Sequence, residues 1–151
     1  MAKRNQKRRR SKPPAKKLQS ALPTKGNYYD LLEIFNMLNL WYFDNKIKAR
    51  ISWGRRPRSP QRSHKEFKMG LCSVKDRLIT IHRALDRELV PLFVVANTIF
   101  HEMLHIKFPP RRKNGRRSVH YPEFQTAEKT FSEFEKAEKW ERDNYDALAF
   151  F

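Results

Sequence analysis

The sequence predicts an α+β domain, a small three-stranded sheet packed on one buried helix, with further packing helices towards its N- and C-terminal ends. Three observations lead there. Apolar residues recur at three- and four-residue spacing over residues 28–44 and again over 122–150. Between them lie three short runs with the composition and alternation of strands. Finally, Leu92, Phe93, Val95, Ala96, Ile99, Phe100, Met103 and Leu104 leave hardly a polar side on the helix they would form, so that helix should be enclosed by the rest of the fold.

In chain order, residues 1–25 hold Pro13, Pro14 and Pro23 and almost no large apolar side chain, which predicts a disordered basic tail ahead of a single domain at 26–151. Tyr28, Leu31, Leu32, Phe35, Leu38, Tyr42 and Phe43 then mark an amphipathic helix. From Ile47 to Trp53, Ile47, Ala49, Ile51 and Trp53 alternate with Lys48, Arg50 and Ser52, as in a half-buried strand. Pro57 and Pro60 prevent its continuation, so 54–66 should be a mobile loop. Residues 67–74 and 77–82 read as two more strands joined by a turn at Lys75-Asp76. The buried helix starts near Pro91, a good first-turn residue, and cannot pass Pro109. A basic loop, Arg111 to Arg117, leads to Pro122 and a last helix reaching Phe150, with Phe124, Phe131, Phe134 and Trp140 inside and Glu128, Glu133, Glu135 and Glu141 outside.

The buried helix carries His101-Glu102-Met103-Leu104-His105, the His-Glu-x-x-His signature of zincin metalloenzymes. Four residues apart, His101 and His105 leave the same helix face and can converge on one cation, while Glu102 projects to the side as a base. Burying these groups without partners would cost several kcal/mol, and a Zn2+ ion with a bound water relieves that cost. A catalytic zinc takes a third protein ligand. Of the other histidines, His120 is best placed, because the loop before it lets the following helix fold back on the first. His64 sits in a charged loop and His82 at the end of a strand.

The net charge is +17, concentrated in three places. Residues 1–17 contain nine Lys or Arg and no acid, 54–68 six against one Glu, and 111–117 five against none. The rest of the chain is near neutral, so the basicity is a footprint for a polyanion rather than a general property of the fold. The candidate contacts with nucleic acid are Arg8, Arg9, Arg10, Arg55, Arg56, Arg58, Arg111, Arg112, Lys113, Arg116 and Arg117. The single cysteine, Cys72, excludes an internal disulfide and a cysteine-based zinc site, and fits a reducing compartment. No apolar run approaches the roughly 20 residues of a membrane span, and no apolar stretch follows the basic start as in a secretory leader. A monomer in the cytoplasm or nucleoid, or in the nucleus of a eukaryote, is expected.

His101-Glu102-Met103-Leu104-His105, fourteen intervening residues and then His120-Tyr121-Pro122-Glu123-Phe124 resemble the SprT-like metalloprotease family, which includes the Spartan-type DNA–protein crosslink proteases. Phe43-Asp44-Asn45-Lys46-Ile47, Ile51-Ser52-Trp53, Met69-Gly70 and Ile79-Thr80-Ile81 extend the likeness upstream, so that it spans about Tyr28 to Phe134. Tyr121 stands where the family usually has glycine, and no cysteine-rich zinc ribbon follows. The resemblance implies a zincin-like fold and a zinc endopeptidase acting on proteins bound or crosslinked to DNA, with Glu102 as general base, His101, His105 and His120 as ligands, and Leu78 to His82 as the strand edge on which extended peptide adds. Spacing and charge alone support a metallohydrolase near a polyanion, with Tyr121 or Tyr145 as a further donor by residue type. They leave open a metal-dependent nuclease, or a non-catalytic module in which metal stabilises a nucleic-acid-binding surface.

Overall fold

A computed structural model describes residues 22–56 and 67–149, and its elements are those of an α+β protein. Helix α1 spans Leu31–Phe43, strands β1, β2 and β3 span Arg50–Trp53, Gly70–Ser73 and Leu78–Ile81, and a 3-10 turn covers Arg83–Leu85. Helix α2 is Leu92–Lys107, followed by strands β4 (Arg111–Lys113) and β5 (Arg116–Ser118) and helices α3 (Pro122–Glu128) and α4 (Phe134–Ala149). None of the described helices is long and apolar enough to cross a membrane.

Helix α1 begins where the Asp30 side chain accepts the Leu32 N–H and ends where Asp44 turns left-handed at φ 50°. Its buried stripe is Leu31, Ile34, Phe35, Leu38 and Phe43, joined by Asn39. Asn39 would be costly inside, but its amide holds the backbone of Ile47 through two hydrogen bonds of 3.0 and 3.1 Å, which fixes the entry to the sheet.

The sheet order is β1-β3-β2, with β3 parallel to β1 and antiparallel to β2. This corrects the expectation for residues 78–82: β3 is the central strand, its main-chain groups used on both sides, and cannot accept another. The β1 edge is covered in part, since Pro23 takes the Trp53 N–H at 2.8 Å. Pro23 and Thr24, assigned above to the tail, thus pack on the domain; Thr24 also accepts the Leu31 N–H at 3.0 Å. Among the described residues, β2 has no strand on its other side. Residues 1–21 and 57–66, the latter most of the mobile loop expected at 54–66, lie outside the description, and with them Arg8, Arg9, Arg10, Arg58 and His64.

Helix α2 is the hub, touching α1, α3, α4, β2 and β3. Eleven of its sixteen residues are buried, as a helix apolar on all sides requires. Phe100 anchors it, 1 % exposed, with ring centroids of Tyr42, Phe43 and Phe131 at 5.0, 5.4 and 5.5 Å. That cluster explains a second correction. The expected continuous helix from 122 to 150 is broken at 129–133, because Phe131 turns inward onto Phe100 while Ser132 gives its N–H to the Tyr42 hydroxyl and Thr130 its hydroxyl to Ala127 O.

The basic loop is also more ordered than expected. Asn114 and Gly115 sit at φ 53° and 74° and close a hairpin in which Arg111 pairs with Ser118, Arg112 with Arg117 and Lys113 with Arg116. Two successive residues at positive φ define the tight turn that matches strand twist, and Asn-Gly is its favoured sequence.

Candidate metal centre

The site is built on one face of α2. Leaving adjacent turns, His105 Nε2 lies 3.2 Å from His101 Nε2 and 3.3 Å from His120 Nε2. His120 is held just before α3, whose Pro122 occupies the first turn, and Gln125 binds the His120 carbonyl at 3.0 Å. All three imidazoles stand against Phe124, which is fully buried with its ring centroid 4.7–5.1 Å from theirs.

These residues fit a metal ion. Zn–N bonds of about 2.0–2.1 Å at tetrahedral angles separate ligand nitrogens by about 3.3–3.4 Å, close to the observed spacings. The tautomer agrees: His101 Nδ1 lies 2.5 Å from Glu128 Oε1, so the ring proton belongs on Nδ1 and the Nε2 lone pair faces the other two. Lone pairs brought together in this way repel unless a cation lies between them. Among the described residues no other group of histidines, cysteines or carboxylates gathers so closely.

The charges around the site follow from burial and these contacts. Burial, then His101 and His120, hold His105 down to about 4, and burial followed by His101 lowers His120. Burial would lower His101 too, but the Glu128 hydrogen bond and the carboxylates of Glu102, Glu128 and Glu141 outweigh it and its pKa rises. Glu102, 5 % exposed, is pushed up to about 7 by burial against the opposing pull of His101 and Lys68. Cys72 is raised to about 12 by burial and then Glu102, which keeps it a thiol in the metal-free protein, and it does not belong to the cluster of the three histidines.

Glu102 is positioned by β2. A side chain at Gly70 would place its Cβ 2.8 Å from Glu102 Oε1 and 2.9 Å from its Cγ, so only glycine lets the strand come this near. Gly70→Ala should therefore displace the carboxylate and, on the hydrolase reading proposed below, lower kcat about a hundredfold, with metal content and fold retained. Steady-state kinetics beside metal analysis and circular dichroism check this.

The three histidines and Glu102 open into a cavity of about 860 Å3, which runs along residues 68–75 and is also lined by Arg117, Asn97, Glu128, Glu138 and Glu141. Of the basic candidates, Arg117 lines this cavity, while Arg112, Lys113 and Arg116 are exposed on the hairpin beside it. Arg111 is engaged by Glu123 at 2.7 Å and lies 3.7 Å from the centre of the Tyr121 ring. Arg55 and Arg56 are exposed after β1 and do not line the cavity.

Tyr121 is extended at φ −75°, a conformation open to any residue, so its departure from glycine leaves the backbone before α3 unstrained. Its hydroxyl donates to Pro109 O at 3.1 Å, which ties the base of the hairpin and removes it as a donor to the reaction. Tyr145 lies against Phe67, outside the cavity lining. Sequence reasoning gave no role at the site to Gly70, Phe124, Glu128 or the Asn97–Glu141 pair. Asn114-Gly115 would have revealed the hairpin. Glu128 carried no signal, being one of several acids on a helical surface.

Compared with family models, with curated proteins and with solved structures, the chain matches none.

Proposed function

We propose that this protein is a zinc-dependent endopeptidase of zincin-like, SprT-like architecture, acting on proteins bound or crosslinked to nucleic acid, DNA by the resemblance. The observation that carries it is the convergence of three imidazoles, with His105 Nε2 at 3.2 and 3.3 Å from those of His101 and His120, beside a buried glutamate. His101, His105 and His120 would hold the ion, which when bound supplies a Lewis acid that acidifies a water towards pKa about 7 and polarises the scissile carbonyl.

The chain's own residues do the rest. Glu128 keeps the His101 proton on Nδ1 and so presents Nε2 as a lone pair. Glu102, fixed between α2 and Gly70, takes a proton from the attacking water at its carboxylate and delivers it to the leaving amine nitrogen. The β2 edge, whose residues line the cavity, offers main-chain groups to an extended peptide. The hairpin cations Arg112, Lys113, Arg116 and Arg117 stand at the rim, where phosphate would bring a nucleic-acid-bound protein to the cavity.

Labelled DNA, an unfolded protein and the two together are to be incubated with the zinc-loaded protein. Fragmentation of the unfolded protein, faster with DNA present and lost with a chelator, is expected. Cleavage of DNA with the protein left intact would replace this reading by the nuclease, and cleavage of neither would leave a metal-stabilised binding module.

A further inference from the structure

We propose that the part of the cavity between α2 and α4, one turn before His101, is a subsite for a lysine or arginine side chain of the protein substrate, an assignment that rests on the endopeptidase reading. Asn97 precedes His101 by four residues and so shares its helix face, about 6 Å along the axis. It is 4 % exposed and lines the cavity, yet its Oδ1 has no hydrogen-bond partner. Its Nδ2 reaches Glu141 Oε1 at 3.5 Å. A buried acceptor left unpaired is costly, and in a wall of a cavity it marks a place where a donor belongs.

The surroundings name that donor. Glu138 and Glu141 line the same cavity, while Glu128 is already engaged by His101. Burial and then the Glu138 charge hold the Glu141 carboxyl up to about 7 against the opposing pulls of Asn97 and His101. The nearby lysines of α4 are committed elsewhere, Lys136 to Glu133 at 3.3 Å and Lys139 to Asp143 at 2.7 Å. A metal ion is not the occupant, because these carboxylates do not gather as the three histidines do. Acceptors without donors fit an ammonium or a guanidinium, and a long side chain beside the scissile bond spans one helical turn from the metal ligands.

The test uses the zinc-loaded full chain and peptides that differ at single positions flanking the cleaved bond, carrying Lys, Arg, norleucine or Glu. Lys and Arg should exceed norleucine about tenfold or more in kcat/KM at one position, and the ratio should fall to within about twofold in Glu138→Gln/Glu141→Gln. No such preference, or one unchanged in the variant, overturns the subsite. A second readout needs no turnover: the Asn97 side-chain amide resonance should shift on adding N-acetyl-lysine amide and not with the norleucine analogue, and an amide indifferent to both also overturns it. Lysine-specific shifts in a protein that cuts no peptide would keep the subsite and sink the endopeptidase reading.

Discussion

Glu102→Gln is expected to lower peptide hydrolysis by about 10²–10⁴-fold while leaving zinc stoichiometry unchanged. The amide has the shape of the carboxylate it replaces, so the close contact with Gly70 survives and only the proton acceptor is lost. The same variant has a signature in stability that follows from the burial of the carboxyl alone. Burial raises the Glu102 carboxyl from 4.5 to about 7. An acid whose folded pKa exceeds its unfolded value favours the native state below the unfolded pKa, and that advantage disappears as pH rises through the folded one. In the zinc-free protein, ionised Glu102 therefore destabilises the fold at pH 8, and Glu102→Gln should melt higher than the parent there. The gap should close as pH falls towards 4.5. Thermal melts across this range, beside kcat for the zinc-loaded pair, check both halves. Unchanged hydrolysis would show that Glu102 is no base.

What could be read ahead of the structure divides by the range of the interactions involved. Helix α2 and the His101–Glu102–His105 constellation follow from spacing within four residues, which the 3.6-residue turn converts directly into a shared face. His120 was within reach because Pro110 and Pro122 bracket a segment that must turn back. Strand order was not, since Leu78–Ile81 has the same composition whether central or at an edge, and its pairing with Arg50–Trp53 depends on residues about thirty positions away. The inward carboxylates were hidden for a related reason. Glu128 and Glu141 look like the solvent face of one long helix, and become part of the site only because Phe131 packs on Phe100 and breaks that helix in two. Local periodicity cannot register a break enforced by an aromatic cluster assembled from α1, α2 and the turn.

Removal of the third ligand is the other large effect. His120→Ala should cost at least about a hundredfold in zinc affinity, and with it the stabilisation that zinc confers. At zinc concentrations a hundred times Kd the parent gains about 2.7 kcal/mol, a rise in Tm of about 10 °C for a domain of this size, and the variant should show almost none of it. Proton linkage gives an independent check. His105, held down to about 4, is neutral in the folded protein and ready to ligate at pH 6, where the unfolded chain is partly protonated, and His120 is lowered in the same direction. A depressed folded pKa contributes stability that is complete above about 6.5 and declines as pH falls towards about 4, so the zinc-free protein should soften with respect to His105 over that interval. His101 has the opposite sign. Its pKa is raised, with the Glu128 hydrogen bond and neighbouring carboxylates outweighing burial, so below that pKa zinc must expel a proton from Nε2 before His101 can ligate. Zinc uptake near neutral pH should accordingly release protons, and affinity should weaken towards tenfold per pH unit as the solution is acidified. Calorimetric titration in buffers of different ionisation enthalpy measures that release directly. Zinc binding to the parent with no proton release, or undiminished zinc binding by His120→Ala, would show that the ion is held elsewhere, and the three converging imidazoles would lose their function.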